Sequence, residues 1–185
     1  MKEIRLHGRG GQGVVVAARI LASAFVREGK YGMAFPKFGF ERRGAPVVAF
    51  ARFNEKPIRE KTQVYEPDCL IVADPRLIRS VDIFAGIRPD GILVMNAVEP
   101  VRERWHENLV AVVTVDATDI GLKEIGTPIT NTCMLGAFVR ATGWLELDSL
   151  LSSLGEYFDG SLLEKNRRCV QRGYEESTAL RLRRS

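Results

Sequence analysis

Histidine is nearly missing from this chain: His7 and His106 are the two among 185 residues. That is too few for a catalytic metal site built on imidazole by this chain alone. Cysteine is scarce too. Cys69, Cys133 and Cys169 lie far apart and form no C-x-x-C pair, so neither zinc nor an iron–sulfur cluster finds its usual ligand spacing. The N-terminal MKEIRLHG has no apolar signal-peptide core, so the three thiols are expected to be reduced and buried, in a cytoplasmic protein. No apolar run approaches the roughly 20 residues of a membrane span. No nucleophile has a base beside it in the pattern, and no catalytic residue is assigned.

Positive charge is present but local. The formal net charge is +4, and residues 161–185 carry it, with seven Lys/Arg against three Glu. The rest of the chain is neutral. A nucleic-acid binder would more often spread basic residues among aromatics across its fold, so a terminal helix facing solvent or a partner is expected, and nucleic acid is not.

The apolar blocks alternate with helical patterns. EIRLHG, VVAFARF (47–53), CLIVAD (69–74), GILVMN (91–96) and LVAVVTVDA (109–117) read as strands. The last three are β-branched runs that each end on a polar residue, as suits strands buried on both faces. Helices are expected over 13–29, from Pro75 through 87, over 117–126, over 131–143 with Thr130 or Asn131 as cap, and over 147–158 and 161–180. The fold class is α/β: a Rossmann-like three-layer sandwich with a mostly parallel sheet, one domain over 1–185. The stretch 31–46 has neither period and reads as a functional or interfacial loop.

After the first strand comes LHGRGGQGVV, in which Gly8, Gly10 and Gly13 match G-x-G-x-x-G. Glycines allow a tight turn, and the following helix aims N–H groups at any anion. A dinucleotide site also needs an acidic residue about 20 positions on, against the ribose. There the chain reads KYGMAFPKFG, and Glu28 falls too early. Gly11 and Gln12 are likewise not part of the dinucleotide pattern. NAD and FAD are therefore not expected. A turn that binds nothing, and a turn that presents donors to an anion or a neighbouring subunit, both stay open.

A second cluster lies in FGFERRGAPVVAF, where Glu41, Arg42 and Arg43 precede a strand. Arginine suits bidentate pairing with carboxylate or phosphate, and Glu41 could hold one arginine in place. Taken in order, HGRGGQGVV, FGFERRGAPV, VYEPDCLIVAD, GILVMN and TPITNTCMLGAF resemble the gamma subunit of the 2-oxoacid:ferredoxin oxidoreductases. The resemblance spans nearly the whole chain. It implies a subunit of an enzyme that decarboxylates a 2-oxoacid, pyruvate first among them, to acyl-coenzyme A and CO2 and reduces ferredoxin. Thiamine diphosphate with Mg, and the 4Fe–4S clusters, would sit on alpha, beta and delta partners, none of them on this chain alone. The isolated chain would be inactive.

The resemblance also implies a domain that assembles the complex and borders the coenzyme A site. The binding candidates are Gly8, Gly10, Gly11, Gln12, Gly13, Glu41, Arg42, Arg43 and Asn131. The aromatic 31–40 stretch and the basic C-terminal helix are the surfaces expected to be covered by partners. The competing readings are a freestanding nucleotide- or phosphate-binding module and an assembly subunit whose loop binds no ligand.

Overall fold

A computed structural model describes residues 1–37, 43–99 and 105–182. In chain order the elements are β1 (Lys2–Arg9), α1 (Val14–Arg27), β2 (Tyr31–Pro36), β3 (Pro46–Asn54), β4 (Cys69–Val72), β5 (Gly91–Asn96), β6 (Leu109–Val115), α2 (Ala117–Glu124), α3 (Asn131–Thr142), α4 (Leu147–Ser153), α5 (Gly160–Glu176) and β7 (Thr178–Arg181). Short 3-10 turns cover Pro75–Arg79 and Leu154–Glu156.

The strands form one sheet in the order β2-β3-β1-β4-β5-β6-β7. The four central strands β1, β4, β5 and β6 are parallel. β3 and β7 run against them, and β2, antiparallel to β3, shares the central direction. The sheet is thus α/β and mostly parallel in strand direction, with antiparallel pairing at both margins.

Strand parity divides the core. Ile4 and Leu6 of β1, Ile71 of β4 and Val94 of β5 face the helices and join Phe25, Leu135 and Phe138. Their neighbours Leu70, Val72, Leu93 and Met95 face the opposite side, against Leu77, Ile83 and Ile87. Burial on both faces is why these strands read as unbroken apolar runs. Among the described residues the five α-helices gather on one face, and the 3-10 turn Pro75–Arg79 with the residues after it covers the other. α3 is buried from Asn131 to Val139, between the sheet and α5. There Gly136 and Gly173 let the two backbones touch: a Cβ on Gly136 would collide with the Val170 carbonyl, and one on Gly173 with that of Cys133.

Three expectations are corrected. Residues 75–87 do not form a helix beyond the 3-10 turn Pro75–Arg79. The Arg5 guanidinium donates to the carbonyls of Ile83 and Ala85 at 2.9 and 2.7 Å, and the Ile83 carbonyl is one that a helix through 87 would have used internally. The stretch read as a loop from 31 contains β2, which pairs residue by residue with β3. The C-terminal helix stops at Glu176, and Thr178–Arg181 instead adds β7 to the edge of β6. A short apolar alternation such as TALRL fits either period, and the open edge of β6 decides it.

Candidate functional site

The glycine loop lies at the carboxyl ends of the parallel strands, beside the crevice between β1 and β4. Connections leave β1 toward β3 on one side and return to β4 on the other, the place where open α/β sheets bind ligands. Gly13 is the N-cap of α1, in left-handed backbone at φ 72°, and no side chain caps the helix. Gly11 is also left-handed, at φ 98°, exposed, with open space beside its Cα. Gly8 packs closely, for a Cβ there would sit 2.5 Å from Val14 Cγ1. Asn131, at the first turn of α3, lies against Gly13, so two helix N-termini converge at one point.

The structure therefore brings Gly8, Gly10, Gly11, Gln12, Gly13, Arg43 and Asn131 to one edge. Arg43 is exposed, and its backbone bridges to Gly10. Glu41 and Arg42 lie outside the described residues.

Two donors expected to face a ligand are engaged within the chain, which corrects the picture of an open loop. Gly10 N–H donates to the Ala45 carbonyl at 2.9 Å and Gln12 N–H to that of Arg9 at 3.0 Å. The Gln12 side chain folds back, its Oε1 accepting from Arg9 N–H at 2.7 Å. Gly11, Gly13 and the first turn of α1 remain as the outward part.

Sequence reasoning missed the residues on the crevice's other wall. A cleft of about 310 Å³ opens between Gln12, Asp74, Arg76, Asn96, Asp116 and Thr118. Asp74, Asn96 and Asp116 are the polar residues that end or follow the three apolar strands, so the signal was in the pattern. Asp74 is 2% exposed and is clamped by Arg9 Nε at 2.6 Å and by Arg76 Nε and NH2, both at 3.0 Å. Burial alone would raise its pKa, but the hydrogen bonds from Arg76 and Arg9 outweigh it and hold the carboxyl at about 2. Two arginines thus already occupy this carboxylate.

On the loop's other flank a smaller, apolar cleft of about 180 Å³ is lined by Gly11, Gly13, Val16, Ile129, Phe158 and Leu162, among others. Nearby, Thr130 Oγ1 is buried with no hydrogen-bond partner among the described residues. His7, beneath the loop, is buried and accepts from Arg5 Nε at 3.1 Å. Desolvation, then the charges of Arg5 and Lys37, push its pKa down to about 3.

No group of three or more His, Cys, Asp or Glu suited to a metal occurs among the described residues. The three thiols are buried; desolvation raises the pKa of each, that of Cys169 to about 11. No described helix is long and apolar enough to cross a membrane. The basic α5 is partly neutralised within the chain. Arg168 and Arg172 both reach Glu124, at 2.7 and 3.1 Å, and Arg172 also pairs with Glu176.

The family model of pyruvate ferredoxin/flavodoxin oxidoreductase matches residues 3–176. The pyruvate/ketoisovalerate oxidoreductases common subunit gamma of Pyrococcus abyssi is 50% identical over 180 residues, covering 96% of this chain and 97% of that one. The crystal structure of pyruvate oxidoreductase subunit PORC from Thermotoga maritima superposes with a TM-score of 0.83 at 40% identity, over 96% of this chain and 97% of that one. The 2-oxoglutarate:ferredoxin oxidoreductase of Magnetococcus marinus, solved with 2-oxoglutarate, coenzyme A and succinyl-CoA, shares the fold with a TM-score of 0.76. Its identity is 18%, over 94% of this chain and 30% of that one.

Proposed function

Because this chain belongs to the pyruvate ferredoxin/flavodoxin oxidoreductase family, we propose that it is the gamma subunit of a cytoplasmic 2-oxoacid:ferredoxin oxidoreductase, folded as one domain. The enzyme converts a 2-oxoacid, pyruvate foremost, to acyl-coenzyme A and CO2 and passes the electrons to ferredoxin. Alpha, beta and delta partners hold thiamine diphosphate, Mg and the 4Fe–4S clusters, and these cofactors carry the bond-breaking chemistry. A relative whose name marks it as common to pyruvate and ketoisovalerate oxidoreductases supports a further reading: gamma serves assembly and a shared co-substrate rather than the choice of oxoacid.

That shared co-substrate is coenzyme A, which supplies the thiol that accepts the acyl group. The single observation behind its placement is the exposed Arg43 held against Gly10, beside the uncapped N-terminus of α1. Helix dipole, Gly11 and Gly13 amides and a guanidinium suit a diphosphate. Asn131, packed on Gly13, positions the loop, and the apolar cleft beside it suits the aliphatic arm of the same molecule.

The test is affinity purification of the tagged chain from its native host without oxygen. Recovery of thiamine- and iron–sulfur-containing subunits, with coenzyme A-dependent pyruvate oxidation, is the expected result. A partnerless monomer from that lysate overturns the reading.

A further inference from the structure

β2 is an edge strand whose outer rim pairs with no other strand among the described residues. Lys37 N–H donates to the Val48 carbonyl at 2.8 Å, which continues the ladder Tyr31↔Asn54 through Pro36↔Ala49. In an antiparallel pair this sets the parity: residues 31, 33, 35 and 37 bond inward to β3, and 32, 34 and 36 point their backbone groups outward. Pro36 sits on the outward set, where its missing N–H costs nothing. The N–H and C=O groups of Gly32 and Ala34 have no hydrogen-bond partner among the described residues.

Exposed edges are usually blunted by bulges, inward charges or very short strands. β2 is six residues long with unbroken register, and its lysine and proline guards stand only at its ends. By contrast β7, at the sheet's other margin, is four residues long, which is itself a guard.

The rim residues Gly32 and Ala34 are small, and the Ala22 carbonyl of α1 lies so close to Gly32 that any side chain there would clash. Between this rim and α1 runs a groove of about 410 Å³ lined by Arg19, Ser23, Arg27, Glu156 and Tyr157 among others. Glu156 is already bound by Ser23 and by Arg27. Arg19 is exposed and forms no ion pair among the described residues. Val26 and Tyr31, 54% and 48% exposed, add apolar surface at one end.

We propose that β2 takes an eighth strand from another subunit of the assembled oxidoreductase, an extended segment carrying an acidic side chain opposite Arg19. This rests on the complex proposed above. Main-chain hydrogen bonds to Gly32 and Ala34 supply the pairing, as in strand-addition recognition generally. The groove beside the rim takes side chains of the incoming strand, and Arg19, with no ion pair among the described residues, selects an acid.

Residue-resolved hydrogen exchange on the complex and on the free full chain tests this. The amides of Gly32 and Ala34 are expected to exchange quickly in the free chain and at least a hundredfold more slowly in the complex. Those of Met33 and Phe35 should be protected in both. Equal, fast exchange of Gly32 and Ala34 in an intact complex overturns the strand addition while leaving the complex standing. Protection that grows with the concentration of the free chain overturns it in favour of a second copy. Failure to recover any complex overturns both readings. The acidic partner is tested by Arg19→Glu, which should raise the dissociation constant of the complex tenfold or more; an unchanged constant removes the acid from the proposal.

Discussion

Arg9 Nε lies 2.6 Å from Asp74 Oδ2, so the last residue of β1 neutralises a residue two positions past the end of β4, its parallel neighbour. A ribose-binding acid in a dinucleotide fold must be free to accept hydroxyl protons. Asp74 instead accepts from two guanidinium groups and the Arg76 N–H. The crevice is built on a fixed ion triad, which orients Arg76 at its mouth.

Replacing Asp74 with Asn should leave two arginines facing an amide. A loss of roughly 1.5–3 kcal/mol of stability at neutral pH is expected, the range for hydrogen bonds to charged groups, read from urea midpoints. The sign with pH follows from the lowered pKa. The carboxylate contributes fully above its ordinary value near 3.8, and the contribution is lost as pH falls toward about 2. The Asn variant should lack that acid-side loss, and equal stabilities at pH 7 would contradict the role given to the triad.

His7 makes a second, separate acid sensitivity. Its pKa is about 3 in the folded chain against an ordinary 6.5, so the unfolded chain binds one more proton between those values. Stability is complete above pH 6.5 and should fall by about 1.4 kcal/mol per pH unit below it. His7→Gln keeps an acceptor for Arg5 and cannot titrate. Its stability should be flatter between pH 6.5 and 4.5, where few carboxylates interfere; parallel curves would show that His7 is not the group responsible.

Gly136→Val should loosen the contact between α3 and α5, because the new side chain meets the Val170 carbonyl. Overpacking of this kind costs roughly 1–3 kcal/mol, so a drop of several degrees in melting temperature is expected. Gly155→Ala is the control, since nothing lies within 4 Å of its Cβ position.

Arg43→Ala in the assembled enzyme should raise the apparent KM for coenzyme A. Loss of one charged contact, about 1.5–3 kcal/mol, corresponds to roughly ten- to a hundredfold. The KM for the 2-oxoacid should stay nearly unchanged. If assembly weakens and the coenzyme A constant does not move, Arg43 is an interface residue instead.

The α/β class, five of the seven strands, and the placement of the glycine loop before α1 were all legible in residue order. Runs such as CLIVAD and GILVMN are apolar because both faces of a central strand are covered, and that signature is local. So is the position of Gly13, since only a left-handed cap could turn β1 into α1 there. What residue order left open is what depends on distant partners. TALRL became β7 rather than more helix because β6 offered an unpaired edge, and YGMAFP became β2 because β3 did. The helix expected after Pro75 gave way where Arg5, 78 residues before Ile83, takes the Ile83 carbonyl that its last turn needed. The same holds for the site: Gly10, Gln12, Asp74 and Arg76 each carry a polar group whose availability is set by contacts across the fold. Periodicity reports which face of an element is buried, and only tertiary structure decides which donors and acceptors are left over for a ligand.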